Sequence, residues 1–331
     1  MIGQIHRLIL IQQGLAAAVV AAIATCLAIQ APAQTFPERT IKLIVPVPPG
    51  GSTDAVARLV TLRMQAILGQ PVIIENQPGA GGLIAARAVA AANPDGYTLL
   101  IGGIGTLSIG PSVKTPDFNV AAAFAPIATV STETKVLVVN PKVPADTLDA
   151  FVRYAKASGG KLNYGSAPGI TPHFISEWFK LKTGADIVHI PYKGAGPAIT
   201  DLLAGQIEMV FNTKSVLLQL VKQGRLRALA VTSAARWPEL PEVPTLTEAG
   251  IFPHPVEVWW GIVGPAGLPR AIVTRLNGAI NTALQSPELL ASFTSLGIEP
   301  RGGTPEDFAA LLADDAPRWF EIIRMTGIKL E

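Results

Sequence analysis

The stretch IKLIVPVPPGGSTDAVARLVTLRMQAILG (41–69) decides the fold. Its first five residues form a short apolar run rich in β-branched side chains, the pattern of a buried strand. PVPPGG interrupts the run. Ser52 then opens a segment in which Val56, Leu59, Val60, Met64 and Ile67 recur at helical spacing. Gly69 stands where a left-handed C-cap belongs, and Pro71 prevents the helix from resuming. An apolar strand feeding a helix through a tight loop is half of a βαβ unit, so its sheet should be parallel and covered on both faces.

The pattern repeats outward from there. VIIE (72–75) predicts a strand, Leu83 to Ala92 a helix, and the turn NPDG (93–96) leads into strand YTLLI (97–101). A second series starts at KVLVVN (135–140), with a helix from Thr147 to Ser158 and strand LNYG (162–165). The next helix should open with Thr171 as N-cap and Pro172 at the first helical position, and end at Gly184. Strands IVHI (187–190), IEMVF (207–211) and LRALAV (226–231) follow, between helices stopped by Gly205 and Gly224. A Pro-rich connector (238–255) feeds VEVWWGIVGPAG (256–267) and three terminal helices. Thr304-Pro305 opens the last, and Pro317 should kink it. The expected architecture is α/β: two doubly wound domains with a ligand cleft between them. Residues 34–134 and 257–331 form the first and 135–256 the second, exchanging strands instead of being tethered.

The N-terminus reads as an address label. Arg7 is the lone Lys, Arg, Asp or Glu before Glu38, and an apolar stretch from Gly14 to Ile29 ends in Ala31-Pro32-Ala33. These are the parts of a cleavable secretory signal peptide, residues 1–33, which places the mature protein in the periplasm. The mature chain keeps 298 residues (331 − 33), enough for two domains, and a net charge of +1 (+2 − 1). Such a balance offers nothing to nucleic acid or to an anionic membrane surface. The single cysteine, Cys26, lies in the signal peptide. Disulfides, thiol catalysis and Cys-ligated metals are therefore excluded from the mature chain.

Enzyme signatures are missing. There is no G-x-S-x-G elbow and no H-E-x-x-H, and Ser108 stands where a dinucleotide fingerprint needs its last glycine after Gly103 and Gly105. His173, His189 and His254 match no local metal spacing and read as structural. No catalytic residue, metal or cofactor is expected. What is present is a set of Gly-rich loops between strand ends and helix starts: PVPPGGSTD (46–54), NQPGAGG (76–82), GGIGT (102–106), GSAPGIT (165–171), YKGAG (192–196) and FNTKS (211–215). Free backbone N–H groups at a helix N-terminus bind anions, and ligands of open α/β sheets lie beyond the carboxyl ends of the strands. Six such loops in two matched units favour a cleft between domains.

Several strings in order carry a resemblance: IKLIVPVPPGGSTD, LGQPVIIENQPGAGG, NPDGYTLL, VLVVNPKVPA, KLNYGSA, DIVHIPYKGAGPAITDLLAGQIEMVF, GRLRALAVTSAARWPELPEVPTLTEAG and TPEDFAALL. From about Phe36 onward the chain resembles the substrate-binding receptors of tripartite tricarboxylate transporters, the Bug-type, TctC-like family. The resemblance implies a Venus-flytrap fold of the periplasmic-binding-protein type II kind. It also implies a monomer that serves membrane transporter components and closes on a small carboxylate. One ligand carboxylate would be held between two loops, by Pro49, Gly50, Gly51 and Ser52 on one side and by Ser166, Ala167, Gly169 and Thr171 on the other. Asp54 and Thr106 also fall in matching loops; a role for Asp54 in hydrogen bonding at the helix N-terminus is the simpler reading. His173 either holds its loop or touches ligand. Where many relatives carry F-D-N-L-P, this chain has Phe211-Asn212-Thr213-Lys214-Ser215, so Asn212 and Lys214 are candidates, with Lys214 either solvated or facing the cleft. Val216 and Leu217 read as core. Of Trp259 and Trp260, one should pack in the core and the other line the hinge or cleft. A sensory receptor of the same fold, or an enzyme on it, remains a rival reading.

Overall fold

The computed structural model describes residues 36–50, 52–109 and 118–327. The signal-peptide segment, Cys26 and Gly51 lie outside the described residues. The chain divides into residues 1–38 and 39–331, and all the elements below belong to the second unit.

The opening stretch folds as its periodicity dictates. β1 (Ile41–Val45) runs into α1 (Ser52–Leu68), which buries Val56, Val60 and Met64. Leu59 and Ile67 stay half-exposed at the edge of that face. β2 (Val72–Asn76), α2 (Leu83–Ala90) and β3 (Thr98–Gly103) follow. β1 pairs in parallel with both β2 and β3, as its continuous apolar sequence requires. The second series gives α4 (Leu148–Ala157) after the short α3 (Val120–Ala123), then β5 (Leu162–Ser166), α5 (Thr171–Thr183) and β6 (Ile187–Pro191). Next come α6 (Ala195–Ala204), β7 (Met209–Thr213), α7 (Lys214–Lys222) and β8 (Arg227–Val231). β5 pairs in parallel with β6 and β7.

The sheets are not wholly parallel, which corrects the expectation. Between β3 and β7 stand β4 (Phe124–Val139) and β9 (Glu257–Pro265), giving the order β2-β1-β3-β9-β4-β7-β5-β6. Both run antiparallel to their neighbours. β4 has sixteen residues, where the sequence reading began its strand only at Lys135. Its first part, Phe124–Thr134, pairs with β9; its last part, Lys135–Val139, pairs with β7 and β8. The segment FAPIATVSTET lacks apolar alternation, so only its neighbours reveal it as a strand. β10 (Glu299–Gly302) joins β4 for the same reason, having no strand signature of its own.

Three helices finish the chain: α8 (Arg270–Ala283), α9 (Pro287–Ser295) and α10 (Pro305–Thr326). Thr304 caps α10 in a full capping box with Asp307, and the helix continues as one element through Pro317. One large core joins the first sheet to α5 and α10 through Trp259, Phe308, Phe174 and Trp319. A smaller one lies between β4, β7, α6, α7 and Trp237.

Candidate functional site

The loop after β1 is fastened by one side chain. Asp54, 2% exposed, accepts hydrogen bonds from the Gly50 backbone N–H (3.0 Å), from Arg58 Nε (2.8 Å) and Nη2 (3.1 Å), and from Asn76 Nδ2 (2.9 Å). The Arg58 guanidinium and the other donors overcome its burial and hold its pKa down at about 2. With four donors satisfied, Asp54 organises the loop and has little capacity left for a ligand. Gly50 takes a φ of 90°, a conformation suited to glycine, and the space beside it is open. Pro49, Gly50 and Ser52 are exposed. Thr53 Oγ1 accepts from Trp260 Nε1 at 2.9 Å, so the first turn of α1 is tied to β9.

The neighbouring loops close against this one. A Cβ on Gly82 would lie 2.5 Å from Thr106 Oγ1 and 3.1 Å from Pro46 Cβ, so the loops after β1, β2 and β3 meet there. Thr106 is consequently buried, as is Leu107 beside it. Residues Gly105–Ile109 form a π-helical turn, a feature without a local sequence signal.

In the second series of strands and helices, the loop after β5 is fastened by histidine. His173 Nδ1 accepts the Gly169 N–H at 3.1 Å, so the neutral ring carries its proton on Nε2. The His173 ring stacks on His189, centroids 4.1 Å apart, and His189 stacks on Tyr164 at 4.8 Å. Burial, with the neighbouring His189, lowers His173 to about 4; burial also lowers His189. His189 Nε2 stands 3.1 Å from the Ser166 carbonyl oxygen and 2.9 Å from Ser166 Oγ. A carbonyl only accepts, so Nε2 donates, and the Ser166 hydroxyl proton remains free to point elsewhere. Tyr164 donates to Glu177 at 2.6 Å, and Lys180 pairs with the same carboxylate.

Thr171 does not cap α5. The N-cap is Ile170, and Thr171 lies inside the first turn ahead of Pro172. The Ser52 and Thr171 hydroxyls therefore stay uncommitted among the described residues. In the first turn of α5, Pro172 has no N–H and the His173 and Phe174 N–H groups both donate to the Ile170 carbonyl, which leaves the Thr171 N–H as the backbone donor without a helical partner. Gly50 and Gly169, by contrast, spend their N–H groups on Asp54 and His173. Their part is to shape the loops. Ala167 and Thr171 are half-buried beside them.

Two other candidates turn inward. Asn212 is buried, and its Oδ1 accepts the Thr213 N–H at 2.8 Å. Lys214 neither faces open solvent nor stands free toward a cleft: its Nζ pairs with Glu239 at 2.8 Å and lies 5.3 Å from the Trp237 ring centroid. Leu217 is core, whereas Val216 is 42% exposed. Both tryptophans are buried: Trp259 donates to Asp315 in the core, and Trp260 reaches the α1 loop.

Loops that follow parallel strands, open onto helix N-termini and hold their own donors rigid are the parts of a binding cleft. Residues 56–328 match the family described as "Tripartite tricarboxylate transporter family receptor". The chain belongs to that receptor family. Among relatives, Protein BugT of Bordetella pertussis is 39% identical over 305 residues, covering 90% of this chain and 93% of BugT. The solved structure of R. palustris Rpa4515 with adipate is 34% identical with a TM-score of 0.73, over 88% of this chain and 99% of that one. MatC from Rhodopseudomonas palustris, with bound malate, is 32% identical with a TM-score of 0.70, over 87% and 100%. The receptor family shares the two-domain α/β fold that the sheet order describes.

Sequence reading missed three things in this receptor: the His189 contact to Ser166, the Trp260 tie to Thr53, and a buried charge pair on β4. The last had a signal, since Glu133 and Lys135 are charges two residues apart beside an obvious strand.

Proposed function

We propose that this receptor is exported by a cleavable signal peptide and captures a small carboxylate in the periplasm. It acts as a monomer and hands its ligand, unaltered, to the membrane components of a tripartite transporter. Residues 34–134 with 257–331 form one domain and 135–256 the other, a division supported by the change of β4 partners at Thr134 and Lys135. The observation that carries the reading is the pair of first turns at Ser52 and Thr171. Each offers a hydroxyl past the end of a parallel strand, on a loop fixed by Asp54 or by His173, and Thr171 adds its backbone N–H. Neutral donors at two helix N-termini suit one carboxylate, each bond contributing on the order of 1 kcal/mol. Relatives of this size and fold hold adipate and malate.

Mass spectrometry of small molecules released from gently purified protein tests this directly. A carboxylic acid in near-stoichiometric amount, whose return raises the melting temperature, is the expected result. Retention of only non-acidic compounds, or conversion of the bound acid to product, would sink the reading.

A further inference from the structure

Strand register sets another group of polar side chains at the same edge of both sheets. Gly103, the last residue of β3, pairs with Trp260, and Trp260 pairs with Ser131 of β4. Thr213, the last residue of β7, pairs with Lys135. Residues 131–135 thus cross from the loop-bearing edge of one sheet to that of the other. Side chains two apart on a strand share a face at a spacing of about 7 Å, so Ser131, Glu133 and Lys135 point the same way. Directly paired residues share a face as well, which adds Trp260 and Thr213. Trp260 touches the first turn of α1, so this face leads to Ser52.

Glu133 Oε2 and Lys135 Nζ stand 3.1 Å apart, each side chain 7% exposed, and Thr213 also hydrogen-bonds Glu133. Ser131 Oγ is buried with no hydrogen-bond partner among the described residues. A buried ion pair adds little to stability, because desolvation offsets the attraction. A buried hydroxyl left unpaired costs about 1–3 kcal/mol. Together they are an expensive floor for a cleft that had nothing to bind there.

We propose that Ser131, Glu133 and Lys135 form the subsite for the far end of the ligand, and that it takes a neutral group able to donate and accept hydrogen bonds in preference to a second carboxylate. The proposal rests on the reading that Ser52 and Thr171 hold the first carboxylate. Charge balance decides the class. A hydroxyl or carboxamide donates to Glu133 and accepts from Lys135 or Ser131, leaving the pair neutral. A second carboxylate would share Lys135 with Glu133 and place net negative charge where water is excluded, with two carboxylates side by side. An ammonium meets the mirror-image problem at Lys135. Burial already pulls Glu133 up and Lys135 down, so neither tolerates losing the other as its counter-ion. Glu133 selects by exclusion.

Calorimetry on the purified chain decides the matter, using straight-chain ω-hydroxy acids of about four to six carbons and dicarboxylates of equal length. The hydroxy acids should bind wild type about tenfold tighter or better. Glu133→Gln removes the excluding charge at constant shape and should reverse the order. The double variant Glu133→Gln/Lys135→Met keeps no lone buried charge, and should bind both classes within about threefold, which supplies the answer if the single variant fails to fold. Dicarboxylates that bind wild type as tightly as hydroxy acids, or an order unchanged in the variants, would overturn the subsite and leave the clamp standing. Failure of every acid to bind wild type would instead overturn the clamp.

Discussion

Thr171 and Asp54 show how differently two polar residues of one proposed site behave. The Thr171 hydroxyl has no structural task among the described residues, so Thr171→Val should cost about fivefold in affinity, about 1 kcal/mol, with the melting temperature nearly unchanged. Calorimetry beside a thermal melt checks both halves. Asp54 is the reverse case: four donors depend on it, and Asp54→Ala should destabilise the fold by about 1–3 kcal/mol and loosen the Gly50 loop as well. Chemical denaturation measures the first effect and ligand titration the second. His173 adds a pH signature. Its folded pKa, about 4, lies below the ordinary histidine value, so the unfolded chain binds more protons between the two. Stability is complete above about pH 6.5 and falls as pH drops toward 4. Glu177, Lys180 and His189 set the field around the ring. His173→Gln keeps an acceptor for Gly169 but does not titrate, so its melting temperature should be flatter over that window. A wild-type profile already flat there would contradict the assignment.

The parallel strands and their helices were legible because each is an apolar run or a 3.6-residue period punctuated by glycine and proline. The helix over 52–68 and the helix start at Thr304-Pro305 followed from such local signals. β10 and the first half of β4 were hidden, since their burial comes from pairing partners far away in sequence. The site divides the same way. Loop positions after β1 and β5 could be read, but not that Gly50 and Gly169 spend their N–H groups internally, nor that Lys214 finds Glu239. Contact between elements also sets a tight limit at Gly103. A Cβ there would lie 2.7 Å from the Trp259 carbonyl oxygen and 3.3 Å from the Trp260 ring. Gly103→Ala should push β3 from β9 and cost about 1–3 kcal/mol, with weaker binding because Trp260 anchors α1. An unperturbed melt would show that the strands yield more easily than packed sheets should.

Across the whole molecule, the proposed division lets the two sets of loops approach by motion where β4 changes partners and where the chain returns at Val256 and Glu257. Hinged closure around a ligand lowers the radius of gyration. Small-angle scattering with and without a saturating acid should register that decrease, and identical curves would mean a site that is closed from the start.

The place of β9 in the sheet also governs the order in which the protein assembles. β3 and the first half of β4 are neighbours only through β9, whose residues come after the whole of the second sheet in the chain. As the polypeptide emerges from its N-terminus, β7 and β8 can pair with Lys135–Val139, and β5 and β6 can join β7, while β1 to β3 still lack their central strand. The half that begins the sequence is the half that finishes last. Its sheet is complete only when β9 pairs with both β3 and the first part of β4, and β10 pairs with β4 as well.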